Sequence, residues 1–198
     1  MFSDMKQITR KEVYRYLGYG RTDPDEPVLT LVEECCARLE EEARPVSVYR
    51  RFPVNVDTES GQIEIGEDMR VRSRDLAKNM AGCEEAYLFA ATLGPVPDRL
   101  MREAEEERPA QSLVYHAAGA AYIEDYCDEI NSLINQMCLR EGLHTKPRFS
   151  PGYGDFSLEH QRDFMRILDL ENSLGLTLTG SLLLVPEKSV TAVIGLYR

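Results

Sequence analysis

Eight consecutive residues, Arg148-Phe-Ser-Pro-Gly-Tyr-Gly-Asp155, combine a cation, two glycines, a proline and two aromatic rings between two helix-like segments. The Arg148 guanidinium carries five donors in a fixed fork, which matches a carboxylate or a phosphate in bidentate fashion. Gly152 and Gly154 let the backbone approach a ligand or take a positive φ. Pro147 and Pro151 stiffen the entry and the turn, Ser150 adds a hydroxyl, and Tyr153 can cover an apolar group while hydrogen-bonding at its tip. These types suit a small zwitterion. Gly, Pro and Asp also dominate ordinary turns, so a purely structural turn is the competing reading.

A second constellation lies upstream, in His116-Ala-Ala-Gly-Ala-Ala-Tyr-Ile-Glu124-Asp-Tyr-Cys-Asp-Glu129. The small residues Ala117 to Ala121 thin a helix on every side, so another backbone or a flat ligand can come close. Tight helix packing explains the same pattern. Gly119 costs about 1 kcal/mol against Ala inside a helix, which points to a need for proximity. Glu124 and Asp128 are one helical turn apart and share a face. Either that face is solvated, or a carboxylate sits at the crossing and needs a cationic partner such as Arg148 or a charged ligand.

Ordinary catalytic machinery is missing. The chain has no GxSxG, HExxH, Walker loop or GxGxxG after a strand, so no catalytic residue is assigned. The five cysteines, Cys35, Cys36, Cys83, Cys127 and Cys138, and the three histidines, His116, His144 and His160, have no zinc-site spacing, and no metal is expected. The adjacent Cys35 and Cys36 fall on the apolar face of a helix and read as core. A formal net charge of −11 argues against nucleic acid and anionic membranes as partners. The glutamates of 33–42 and 103–107 read as solvated helix faces. No apolar run is long enough to span a bilayer, and the polar stretch Asp4 to Glu12 occupies the place of a signal-peptide core, so a cytoplasmic protein with reduced thiols is expected.

The elements that must position these residues follow from periodicity and punctuation. Thr9 and Glu12 form a capping-box pattern flanked by Ile8 and Val13, and the helix they open stops at Gly18. Val28 to Ala43 is amphipathic and ends at Pro45. Val46 to Val56 and Gln62 to Ile65 read as paired strands, Ser73 caps a short helix, and Ala86 to Thr92 reads as a strand buried on both faces. Val96 to Glu107 and about thirty residues from Pro109 are helical, and one further helix runs from Ser157 to about Leu170. Leu176 to Val185 and Val190 to Leu196 read as strands joined in a hairpin through Pro186-Glu-Lys-Ser189. Without a regular βαβ rhythm, the fold class is α+β, a single domain over residues 1–198 with a mainly antiparallel sheet.

At this level the residues resemble a known family. Arg148-Phe-Ser-Pro-Gly-Tyr, Gly175-Leu-Thr-Leu-Thr and Ser181-Leu-Leu-Leu-Val-Pro-Glu-Lys-Ser-Val190 are similar to the activation domain of cobalamin-dependent methionine synthase. Tyr16-Leu-Gly-Tyr19, Ala91-Thr-Leu-Gly94 and Ala117 to Glu124 look like its short, free-standing version. The resemblance implies a curved, mainly antiparallel sheet flanked by helices. It implies binding of S-adenosylmethionine and reactivation of cob(II)alamin by reductive methylation on a methionine synthase or related corrinoid methyltransferase. The cobalamin is carried by the partner's cobalamin-binding domain, and the electron comes from a flavodoxin-type donor. Carried over by motif, Arg148 pairs with the methionyl carboxylate, Glu124 faces the α-amino or sulfonium charge, and Ser150, Pro151, Gly152 and Tyr153 shape the loop against the ligand. The chain departs from the family at Thr179-Gly180-Ser181, where an acidic residue is usual. The alternative function is a non-catalytic module that docks on a corrinoid protein and controls its conformation without binding S-adenosylmethionine.

Overall fold

The structure is a computed structural model that describes residues 7–20 and 22–198; residues 4–6 of the polar N-terminal stretch lie outside them. Its contacts divide into two compact units, Met1–Val46, Thr92–Glu129 and Pro186–Ser189 in the first, and Ser47–Ala91, Ile130–Val185 and Val190–Arg198 in the second.

The first unit is helical. It holds α1 (Arg10–Tyr16), α2 (Glu26–Glu42), α4 (Val96–Glu105) and the N-terminal part of α5 (Pro109–Arg140). The Asp25 side chain caps α2 by accepting from the Val28 amide. Its apolar face is buried through Val32, Cys35, Cys36 and Leu39, so the cysteine pair is core. Burial pushes the Cys35 thiol up to about 11 and the Cys36 thiol up to about 12, which keeps both protonated and unreactive. The expected capping box does not form. The Thr9 hydroxyl and amide both donate to the Asp125 carboxylate on α5, at 2.9 and 2.7 Å, while Glu12 pairs with Arg15. A charged acceptor from another helix outcompetes the local one. Ile8 and Val13, the expected staple, are both buried. Many of the glutamates on α2 and α4 are tied by arginines: Arg10 to Glu33 and Glu40, Arg38 to Glu42, and Arg99 to Glu42 and Glu103.

The second unit carries the sheet, in the order β3-β2-β1-β4-β8-β5. Its strands are β1 (Val46–Asp57), β2 (Gln62–Ile65), β3 (Met69–Arg72), β4 (Glu85–Thr92), β5 (His144–Thr145) and β8 (Ser189–Tyr197). β1 pairs with β2, β2 with β3 and β5 with β8, all antiparallel. The register sets Ile63 opposite Val71 and Ile65 opposite Met69, which puts all four on the buried face. Leu88, Phe89, Ala90 and Ala91 are fully buried, as expected of a strand covered on both faces. Below the sheet pack Leu76, Ala77 and Met80 of α3 (Arg74–Asn79), with Phe156, Phe164, Leu168, Leu170 and Leu176.

Three expectations are corrected in this unit. The helix after Ser157 is a 3-10 turn, Leu158–His160, followed by α6 (Gln161–Ile167) and α7 (Leu170–Leu174). Asp169, at φ 50°, breaks it. Leu176 to Val185 does not pair with the strand after it; it folds on itself as β6 (Thr177–Leu178) against β7 (Leu184–Val185). Leu182, at φ 65°, turns the chain early, and β8 enters the main sheet between β4 and β5. Strands β3 and β5 were not expected, being too short to show a period of their own.

Candidate functional site

Arg148 lies on an extended segment that continues β5 along β8. The Lys146 amide donates to the Gly195 carbonyl at 2.8 Å, and Phe149 and Val193 exchange both backbone bonds at 3.0 and 2.9 Å. The guanidinium-bearing residue is half-buried and precedes the Phe149–Val193 bridge by one position.

After Phe149 the chain closes a tight loop. Gly152 N donates to Phe156 O at 2.7 Å, Tyr153 N to Ser150 O at 3.1 Å and Phe156 N to Tyr153 O at 2.9 Å. Pro151 and Phe156 are buried, and the Phe149 ring meets Phe156 and Tyr153 at centroid distances of 6.3 and 6.0 Å. Gly152 takes φ 95° and Gly154 φ 51°. At Gly154 the glycine is doubly required, because a Cβ there would lie 2.2 Å from the Asp75 carboxylate.

Asp155 rivets the loop to α3. Its carboxylate accepts the Ser73 hydroxyl, the Arg74 amide at 2.8 Å and the Asp75 amide at 3.1 Å, while its own amide donates to Asp75 at 3.3 Å. Ser73 still caps α3 through the Leu76 amide, as its position predicts. The Ser73 hydroxyl and then the α3 amides hold the Asp155 carboxyl below its usual range. The result is a braced platform from which Tyr153 projects, 57% exposed. Phe149, Tyr153 and Gly154 on one side and Asp75, Lys78 and Asn79 of α3 on the other line a shallow groove of about 520 Å³, within the size range of small-molecule sites.

The small-residue stretch of α5, in the first unit, has a different use. The aliphatic stem of Lys188 lies on Gly119, with its Cγ and Cε 3.2 Å from where a Cβ would stand. The Lys188 side chain is 6% exposed, and its ammonium donates to Glu187 at 2.7 Å, which His116 also meets at 3.1 Å. The turn that carries Lys188 is pinned by Glu187 N to Asp98 at 3.0 Å, Leu93 N to Lys188 O at 3.0 Å and Ser189 Oγ to Thr92 Oγ1 at 2.8 Å. The room left by the alanines and Gly119 is therefore taken by a side chain of the protein itself. Lys188 was visible in the sequence only as part of the turn after Pro186.

Of the residues singled out from the sequence, Arg148, Ser150, Pro151, Gly152 and Tyr153 belong to the braced segment of the second unit. Glu124 stands on α5 in the first unit and is exposed, as is Asp128. The supports that sequence reasoning missed are Asp75 and Asp155; the only signal was an Asp closing a Gly-rich turn. Among the described residues no group of three or more His, Cys, Asp or Glu could hold a metal ion, and no helix is long and apolar enough to cross a membrane.

No family model matches the chain, and no curated protein matches it in sequence. Its fold matches a solved structure, the crystal structure of the MetH reactivation domain bound to AdoHcy, with a TM-score of 0.69 and 16% sequence identity over 93% of this chain and 73% of that one. The chain thus has the α+β fold of that reactivation domain.

Proposed function

We propose that the chain binds S-adenosylmethionine on the Arg148–Asp155 loop and supports reductive methylation of cob(II)alamin on a cobalamin-dependent methionine synthase or a related corrinoid methyltransferase. The observation that carries this reading is the braced loop on a fold shared with a reactivation domain solved with AdoHcy. In this role the guanidinium of Arg148 takes the ligand's carboxylate as a charge-assisted pair. Gly152, in its left-handed conformation, keeps the backbone low beside the ligand, Ser150 and Pro151 hold the turn, and the Tyr153 ring covers an apolar part. The reaction served takes one electron from a flavodoxin-type donor and moves the sulfonium methyl to the reduced cobalt carried by the partner, releasing S-adenosylhomocysteine. Positioning and electrostatics are all the protein has to supply, because the nucleophile belongs to the partner's cofactor.

Titration calorimetry with S-adenosylmethionine tests the site. Arg148→Ala should weaken binding by about 1.5–3 kcal/mol, the worth of a hydrogen bond to a charged group, or roughly 10- to 150-fold. An unchanged affinity rejects Arg148 as the carboxylate partner. Following the visible spectrum of cob(II)alamin on a methionine synthase lacking its own activation domain, with reductant and S-adenosylmethionine, tests the reaction. Association with the cobalamin-loaded partner without any binding of S-adenosylmethionine would replace this reading by the docking-module one.

A further inference from the structure

Glu103 and Glu107 read from the sequence as part of a solvated helix face, yet both border a cavity of about 170 Å³ in the helical unit. Three of its lining residues, Leu100 and Ala104 of α4 and Tyr115 of α5, are buried and give it apolar surface. Arg38 of α2, Arg108 and Gln111 complete the lining, and the Gln111 amide reaches the Tyr115 hydroxyl at 3.5 Å.

The charges around this cavity divide into those already engaged and those that are not. Arg38 binds Glu42 at 2.7 Å and reaches Glu103 at 3.5 Å, and Arg99 holds Glu103 at 2.8 Å. Glu107 and Arg108 are exposed and form no ion pair among the described residues. An anion and a cation on the rim of one cavity, unpaired with each other, are satisfied together by a ligand that carries both charges a short distance apart. The N-terminus of the 32-residue α5 opens at Pro109, directly after Arg108, and its partial positive charge favours the ligand's anionic end on that side. Size narrows the ligand further. An apolar cavity of about 150 Å³ holds a benzene-sized molecule, so roughly six to nine non-hydrogen atoms fit here. S-adenosylmethionine is too large.

We infer that this cavity binds a free α-amino acid with a short aliphatic side chain. The Arg108 guanidinium, backed by Arg38, takes the carboxylate, the Glu107 carboxylate takes the ammonium, and the aliphatic part lies on Leu100, Ala104 and the Tyr115 ring. A simple carboxylate or a simple amine leaves one rim charge without a partner. All the lining residues belong to the first unit, and the site does not depend on the Arg148–Asp155 loop.

Titration calorimetry of the full chain with L-valine tests this, beside isovalerate, which lacks the amine, and isobutylamine, which lacks the carboxylate. L-valine should bind at millimolar concentration, and each analogue at least about tenfold more weakly, the loss of one charged hydrogen-bonding partner. Arg108→Gln and Glu107→Gln should each weaken L-valine by about tenfold or more. Arg102→Gln makes the same charge change on an exposed arginine of α4 outside the cavity and should stay within about twofold. All three side chains are exposed, so these substitutions leave the core intact. Arg148→Ala should leave L-valine binding unchanged, and Arg108→Gln should leave S-adenosylmethionine binding unchanged, so this site and the loop fail separately. No binding of L-valine at millimolar concentration overturns the inference. Isovalerate binding as tightly as L-valine overturns it in favour of a plain anion site, and equal losses in Arg102→Gln and Arg108→Gln overturn it in favour of diffuse charge. Weaker L-valine binding in Arg148→Ala overturns it by moving the amino acid to the loop.

Discussion

Two glycines, Gly119 on α5 and Gly154 in the Arg148–Asp155 loop, each leave room for a neighbour, and the neighbours differ in kind. Over Gly119 lies the aliphatic stem of Lys188, which a Cβ would press on at 3.2 Å. Beside Gly154 stands the Asp75 carboxylate, held through the Asp155 amide on a chain already committed to φ 51°. One glycine serves packing, which tolerates adjustment. The other closes a network of directional bonds, which does not. The difference teaches that small residues by themselves mark proximity, and only the partner they admit says whether it is core or site. At Gly119 the protein fills its own space; at Gly154 the filled space braces a loop that leaves Tyr153 exposed.

Substitution should separate the two most sharply. Gly154→Ala meets both the left-handed backbone and the carboxylate, and should lower unfolding stability by about 2 kcal/mol or more. Gly119→Ala gains helix propensity while pressing on the apolar stem of Lys188, and should stay within about 1 kcal/mol of wild type. Urea denaturation of the two variants breaks the comparison if the costs are alike. Next in size is Lys188. Lys188→Ala strips the stem from Gly119 and should cost about 2 kcal/mol, in the manner of a large-to-small core change. Lys188→Met keeps the stem without the buried ammonium and should be within about 1 kcal/mol of neutral. If Met is as damaging as Ala, the ion pair with Glu187 matters more than the packing, and Gly119 belongs with Gly154 after all.

The smallest effect is on pH dependence. The Asp155 carboxyl is held below its usual range by Ser73 and the α3 amides, so its folded value lies under the unfolded value of about 4. Its contribution to stability is complete above that unfolded value and is lost as pH falls through the lower, folded one. Thermal melts should therefore show wild type losing its advantage over Asp155→Asn below about pH 4. Parallel curves for the two proteins would mean that the carboxylate does not brace the loop.

Much of the architecture was legible from periodicity and punctuation. The burial of α2 on Val32, Cys35, Cys36 and Leu39, the Ser73 cap of α3 and the double-faced burial of β4 follow from side-chain pattern alone, because each depends on near neighbours in the chain. The candidate loop was legible as a cluster of residue types, and the fold as a resemblance. The capping box failed because its hydroxyl found Asp125, 116 residues away. The hairpin failed because Leu182 turns the chain where a leucine is not expected to turn.

The sequence by itself determined the longer helices and strands, which faces are apolar, and that the chemistry-bearing types gather between Arg148 and Asp155. It determined these because propensity and amphipathic spacing act over a few residues. Tertiary structure decided that Asp155 caps α3, that Lys188 fills the space above Gly119, and that the β6–β7 ribbon stands with Leu183 and Val185 exposed. Each of those rests on a partner distant in sequence or on a strained backbone angle, and neither is visible until the chain has closed on itself. The same eight residues that could have been a turn are a turn, and Asp155 braces it against the amides of α3.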